Sequence, residues 1–206
     1  MKKVFIYGDS NVWGDNFYSG ERIPMEKQWP NILKRLVGDD YIIYQEGLPG
    51  RLAGNDEKVK KYKNGKDTFL ATFRTKAPVD YIFISLGTND LQIKYGKNSN
   101  QIIKDLLWYK ETILEQFEDL EDRKKYFENQ LPKIIYILPC NFAAPEVFNE
   151  KSHNSRKEII TYFKDHFDSH EFIELDNIPL FEDGIHLNYE GHEFVAKRVS
   201  EVLNNA

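Results

Sequence analysis

Three short stretches of this chain carry residues whose types and spacing suit covalent chemistry. Gly8-Asp9-Ser10 follows the β-prone run Val4-Phe5-Ile6-Tyr7, which predicts a strand ending in a tight turn with a serine hydroxyl held at the end of a sheet. Asp183-Gly184-Ile185-His186 places a carboxylate and an imidazole three residues apart, and Gly184 permits the bend that turns one toward the other. Gly87-Thr88-Asn89-Asp90 closes another apolar run and offers a side-chain amide donor. A serine hydroxyl is a weak nucleophile near neutral pH and needs a base within hydrogen-bond reach. A carboxylate on the far ring nitrogen fixes the tautomer of that base and stabilises the imidazolium that forms. Donors aimed at the former carbonyl oxygen stabilise a tetrahedral intermediate. Ser10, His186, Asp183 and Asn89 are therefore candidates for nucleophile, base, orienting carboxylate and oxyanion donor in acyl transfer. The backbone N–H groups of Ser10 and Gly47 are further donors, because a residue without Cβ lets the backbone approach a ligand closely.

Each residue also has a plainer explanation. A serine at a strand-to-helix turn serves as a helix N-cap. Gly-Thr-Asn-Asp is a good polar turn. His186 would serve as a polar loop residue before the last helix. Of the five histidines, His186 alone sits in an Asp-Gly-x-His arrangement, whereas His192 falls on the following helix and reads as packing or surface. Trp13, Phe17, Tyr18 and Phe142 fall near the same motifs and either line an apolar substrate pocket or fill the core; Trp13 and Phe142 are the candidates for substrate contact.

The elements that must position these groups alternate. Apolar runs at 3–7, 41–46, 79–86, 133–138 and 171–175 read as strands, several of them nearly continuous, as strands covered on both faces are. Amphipathic patterns near the 3.6 period occupy 26–37, 99–128, 155–167 and 189–204. This predicts an α/β fold with an open, doubly wound parallel sheet of five strands and helices on both sides, a three-layer α/β/α sandwich. In such sheets ligands bind beyond the carboxyl ends of the strands. Gly8-Asp9-Ser10, Glu46-Gly47 and Gly87-Thr88-Asn89-Asp90 follow the first three strands, so all three converge on one rim. The irregular stretches 14–25 and 139–154 are expected over that rim, and 50–77 reads equally as a helix or as loop.

With 206 residues the chain fits one domain spanning 1–206. Its net charge of -5, with lysines and arginines scattered among acids, makes nucleic acid an unexpected partner. The apolar run after Met1-Lys2-Lys3 is too short for a signal-peptide core, and no window reaches the length of a membrane span. The single cysteine, Cys140, has no partner for an internal disulfide. A cytoplasmic protein with no membrane partner is the expectation. No metal is expected, since Asp183, His186 and His192 lack further ligands at matching spacing, and no cofactor is implied.

Taken together, the blocks Gly8-Asp9-Ser10-Asn11-Val12-Trp13-Gly14, Glu46-Gly47-Leu48-Pro49-Gly50-Arg51, Gly87-Thr88-Asn89-Asp90 and Asp183-Gly184-Ile185-His186-Leu187 resemble, in order, those of the SGNH (GDSL) hydrolase family, and they span nearly the whole chain. The second block and Trp13 are most similar to its arylesterase and acyltransferase branch. Pro49 and Leu52-Ala53 depart from that branch, which often has a small polar residue and threonine there. The resemblance implies a flavodoxin-like fold, hydrolysis of a small-molecule ester, Ser10 as nucleophile, His186 as base, Asp183 as its partner, and an oxyanion hole of Ser10, Gly47 and Asn89. It also admits a homo-oligomer. Short acyl groups are expected, O-acetyl groups on carbohydrates or small molecules among them. An acyltransferase would use the same residues with an alcohol in place of water. A non-catalytic ligand-binding module is the other alternative, disfavoured because no glycine-rich phosphate loop follows any strand.

Overall fold

Val4, Phe5, Ile6 and Tyr7 are all fully buried, which is why the run is apolar without alternation: the strand is covered on both faces. The computed structural model describes residues 1–205. Its strands are β1 (Lys2–Gly8), β2 (Tyr41–Gly47), β3 (Tyr81–Ser85), β4 (Lys133–Ile137) and β5 (Phe172–Ile173). They form one parallel sheet in the order β2-β1-β3-β4-β5, with Gly8 opposite both Gly47 and Ser85.

Alternate side chains feed two cores. Phe5, Tyr7, Ile82, Ile84 and Tyr136 face α3 (Gly65–Arg74), α4 (Ser99–Glu118) and α6 (Glu150–His166). Val4, Ile6, Phe83, Ile135 and Ile173 face α2 (Trp29–Val37) and α7 (Tyr189–Asn204). The three-layer parallel architecture expected from the sequence is therefore the one found. After β1 the chain crosses to the α2 side and after β3 to the α4 side, so a crevice opens between the carboxyl ends of these neighbours.

Beyond shifts of one to three residues, four segments depart from the sequence reading. The fifth strand is two residues long, because Arg156 Nη2 donates to Leu175 O and Arg156 Nε to Pro139 O, drawing the chain out of the ladder. The 99–128 pattern breaks at Asp119, whose extended backbone and Oδ1, accepting from Glu121 and Asp122 N–H, start a separate helix, α5 (Leu120–Tyr126). The helix expected at 155 begins five residues earlier, where Asn149 and Ser152 form a reciprocal cap. The ambiguous 50–77 segment divides into loop and α3.

Two buried positions tie the layers together. A Cβ on Gly47 would lie 2.2 Å from the backbone nitrogen of Trp13, so only glycine lets the first helical turn lie over the end of β2. His192 on α7 accepts a hydrogen bond from Trp29 N–H through Nδ1 at 3.2 Å, which leaves its proton on Nε2. Burial pushes the imidazole down to about 3, with the nearby His186 adding to the fall.

Gly47→Ala is expected to cost about 1–3 kcal/mol in chemical denaturation, since the clash is with backbone that cannot swing away. A wild-type denaturation midpoint in that variant would refute the contact. For His192, the unfolded state takes up a proton near pH 6.5 that the native state refuses until about pH 3. Its contribution is thus intact above pH 6.5 and lost as pH falls, by up to about 1.4 kcal/mol per pH unit. His192→Asn should lower the slope of the stability–pH curve between pH 4 and 6 by up to about 1.4 kcal/mol per pH unit, the opposing Asp9 dependence remaining; an unaltered slope would contradict the buried neutral imidazole.

Candidate active site

The nucleophile candidate sits at the first turn after β1. Asp9 is the N-cap of a four-residue helix, α1 (Ser10–Trp13), and its Oδ1 accepts from Asn11 N–H at 3.0 Å. The capping role therefore falls to Asp9, and the Ser10 hydroxyl stays available. Ser10 Oγ lies 3.1 Å from His186 Nε2. His186 Nδ1 lies 2.5 Å from Asp183 Oδ2, while Asp183 Oδ1 accepts from the backbone N–H of Ile185 and His186, both at 3.0 Å. With Nδ1–H held by the carboxylate, Nε2 is the lone-pair nitrogen facing the hydroxyl.

Asn11 brings these distant segments together. Its Oδ1 accepts from Leu187 N–H at 2.9 Å, and its Nδ2 reaches Ile185 O at 3.4 Å. Gly184 adopts φ +65° where a Cβ would meet the Ala143 backbone at 2.9 Å, and its carbonyl accepts from Ala143 N–H. The carboxylate–imidazole loop is thereby seated against both α1 and the segment after β4.

The amide side of the site is built by Arg51. This buried guanidinium donates through Nη1 to Gly8 O at 2.8 Å and Glu46 O at 2.6 Å, and stacks 4.0 Å over the Tyr7 ring. Burial lowers its pKa, which Tyr7, Tyr109 and Glu46 partly offset. Arg51 O in turn accepts from Asn89 Nδ2 at 3.1 Å, and Gln92 Nε2 donates to Asn89 Oδ1 at 2.8 Å, so the amide orientation is fixed. Its other neighbour is Asp9 Oδ2 at 3.4 Å. Asp9 is pushed up to about 6 by burial, against the pull of Asn11 N–H, His186 and Arg51. Asp90, wholly buried, accepts from Ala53 N–H at 2.7 Å and from Lys97 Nζ at 2.7 Å, bracing the loop after β2 against the Asn89 turn.

Ser10, Asn89 and His186 open into one cleft of about 510 Å³. A larger cavity of about 710 Å³ lies near Lys110, Pro132 and Arg198, away from these groups. Three sequence expectations are corrected here. Gly47 does not reach the cleft, because it is the last residue of β2 packed on the Trp13 backbone; the cleft glycine is Gly50, at φ +74°. Phe142 is core, stacked on Phe148 with centroids 4.0 Å apart. Trp13 is half-buried beneath Arg22 and is not on the cleft wall. Phe17 and Tyr18 are exposed, Tyr18 edge-on to Phe181. The N–H groups of Ser10 and Gly50 meet no acceptor among the described residues. The sequence reading also missed Asn11, Arg51 and the lysine-rich wall from Lys58 to Lys63. The positive-φ glycine beside Pro49 was the available signal for the second block.

Among the described residues no cluster of histidines, cysteines and acids has metal-site geometry, and no helix is long and apolar enough to cross a membrane.

The family model for GDSL-like lipase/acylhydrolases matches residues 4–199. Solved structures with the same fold include a carbohydrate acetylesterase family member from Sinorhizobium meliloti, at 23% identity and TM-score 0.82, covering 100% of this chain and 98% of the other. A putative arylesterase from Agrobacterium tumefaciens follows at 21% identity and TM-score 0.80, covering 100% and 99%. The native aryl esterase of M. smegmatis aligns at 19% identity and TM-score 0.80, again covering 100% and 99%. Comparison with curated proteins gives no match. The chain thus belongs to the GDSL-like lipase/acylhydrolase family and is, at the level the family fixes, a carboxylic ester hydrolase.

Proposed function

We propose that the protein is a serine esterase that cleaves short acyl esters through Ser10, His186 and Asp183. The observation that carries this reading is the unbroken relay from Ser10 Oγ to His186 Nε2 at 3.1 Å and from Nδ1 to Asp183 Oδ2 at 2.5 Å. Ser10 Oγ attacks the ester carbonyl as its proton passes to His186 Nε2. The oxyanion lies toward the N–H groups of Ser10 and Gly50 and toward the Asn89 Nδ2 hydrogen whose long 3.4 Å bond to Asp9 Oδ2 it would replace. Collapse breaks the bond to the alcohol oxygen, which takes the proton from His186 and leaves. A water then gives its proton to the same nitrogen, attacks the acyl-enzyme, and the acid departs as the proton returns to Ser10 Oγ.

The cleft wall supports a short acyl group. Its aliphatic members are Pro49, Val59 and Ile185, and the rings of Tyr62 and Tyr95 lie among lysines, so it offers no continuous apolar channel for a long chain. The acetylesterase and arylesterases among the structural neighbours agree with this choice.

A p-nitrophenyl ester series from acetate upward tests it. Ser10→Ala and His186→Ala are each expected to lower kcat at least about 10⁴-fold. Asn89→Ala should lower it about 10²–10³-fold. Fluorophosphonate labelling that survives Ser10→Ala would move the nucleophile elsewhere. Arg51→Lys keeps the charge but not the planar guanidinium stacked on Tyr7, which holds Nη1 between Gly8 O and Glu46 O. It should lower kcat about 10–100-fold, less than outright loss of an oxyanion donor, while KM changes little. A wild-type kcat in that variant would remove Arg51 from the positioning of Asn89.

A further inference from the structure

The cleft that holds Ser10 and His186 is rich in lysines. Lys58, Lys60, Lys63 and Lys94 all line it, together with Tyr62 and Tyr95. Among the described residues Asp15 is the one carboxylate lining it. None of the four lysines forms an ion pair among the described residues, whereas Lys66, Lys76, Lys97 and Lys110 elsewhere do. This concentration of unpaired positive charge belongs to a chain whose net charge is -5.

The cluster is built into the fold. Lys58 Nζ donates to Lys94 O at 2.8 Å, tying the loop after β2 to the turn after Leu91. Lys58 N–H is held by Asp56 Oδ1, and Lys63 O accepts from Leu52 N–H at 3.0 Å. Lys63 Nζ stands 3.0 Å from where a Cβ of Gly50 would be, beside the N–H assigned to the oxyanion, and is half-buried. Lys60 and Lys94 hold their ammonium groups 5.9 and 4.9 Å over the Tyr62 and Tyr95 rings. Like charges gathered in one cleft repel one another, and an anion placed among them relieves that repulsion.

We infer that the esterase takes an anionic ester: a substrate carrying a carboxylate or phosphate within reach of the Lys58–Lys63 wall while its carbonyl sits on Ser10. This rests on the serine-esterase reading above and adds the charge class of its substrate. The bond broken and the proton path are unchanged. Each partly exposed ion pair contributes a few-fold at most. Two or three together set the expected preference at about tenfold, and screening should erase it at high salt.

The experiment compares kcat/KM for p-acetoxybenzoate with that for its methyl ester, which has a similar leaving group and no charge. A second arm uses p-acetoxyphenyl phosphate against phenyl acetate. A third places the charge on the acyl side, with mono-p-nitrophenyl adipate against p-nitrophenyl hexanoate. At about 20 mM salt at least one charged ester should be preferred about tenfold, and at about 500 mM the ratio should fall to within about twofold of unity. The arm with the largest ratio separates carboxylate from phosphate, and alcohol side from acyl side. In the double variant Lys60→Gln/Lys63→Gln the ratio should collapse, and in Lys60→Arg/Lys63→Arg it should survive. The ratio is the readout because Lys63 beside the oxyanion also affects neutral esters. Ser10-dependent turnover of the neutral esters with no preference in any arm, or a preference that the glutamine variant retains, would overturn this inference alone. No Ser10-dependent turnover of any ester would overturn the esterase reading and this inference with it.

Discussion

The site depends on two hydrogen bonds made by Asn11. Ser10 and His186 are 176 residues apart in sequence, and the loop carrying the imidazole is anchored to the helical turn carrying the hydroxyl by Asn11 Oδ1 to Leu187 N–H and Asn11 Nδ2 to Ile185 O. Because Asn11 is next to Ser10 on a capped turn, the length of the Ser10–His186 contact follows from covalent geometry once those bonds form. The same turn rests on β2 through Gly47 and is capped by Asp9. One rigid corner of the sheet thus fixes the Ser10 hydroxyl and the His186 imidazole together, the preorganisation that the proposed acyl transfer needs.

That corner contains more buried charge than its stability alone would favour. Asp9, Arg51 and Asp90 are each less than a tenth exposed. Asp90 is matched by Lys97, which also contacts Asp105. Arg51 has no carboxylate in hydrogen-bond contact; two carbonyls and the Tyr7 ring solvate it, and its Nε has no partner. Burying an ion without full compensation costs several kcal/mol. The arrangement places the guanidinium where it closes the end of β1 against the end of β2, and directs the Arg51 carbonyl at Asn89. Asp9, raised by burial, is more comfortable protonated, so ionising it as pH rises through about 6 costs stability. That is the opposite sense to His192, whose burial penalises acid. Between about pH 4 and 6 the two effects oppose each other and largely cancel, and below about 4 the His192 penalty is left uncompensated.

Much of the fold is readable from the chain because parallel strands covered on both faces leave an unmistakable apolar run, as Val4–Tyr7 and Tyr81–Ile84 do. The Ser10 and Asn89 blocks are readable for a related reason, special turn chemistry at a strand end, and the His186 block by its Asp-Gly-x-His turn in the loop before α7. Other features are not local. Phe142 looks like a pocket aromatic until Phe148 and His153 are seen stacked around it. Gly47 and Gly50 are both plausible close-approach glycines in one dimension; the packing of Trp13 on one and the positive φ of the other separate them. The lysines of 58–63 are scattered charges in sequence and become one wall when Lys58 bonds to Lys94 O.

This division has a physical origin that also separates chemistry from specificity. Ser10 and Asn89 follow the ends of β1 and β3, and the Asp183–His186 loop is bonded to the first of these turns through Asn11. The cationic wall stands on the long connection between β2 and α3, outside the sheet. It is held by a few bonds, such as Leu52 N–H to Lys63 O and Asp56 N–H to Asn64 Oδ1. A change in that connection alters the charge a substrate meets without disturbing the distance from Ser10 to His186, because no residue of the connection bonds to either of them. Arg51 is the junction between the two parts, since its side chain belongs to the strand ends and its backbone begins the connection. On the proposed reading, charge selection resides in a segment that the fold leaves free to vary, and acyl chemistry in one that it does not.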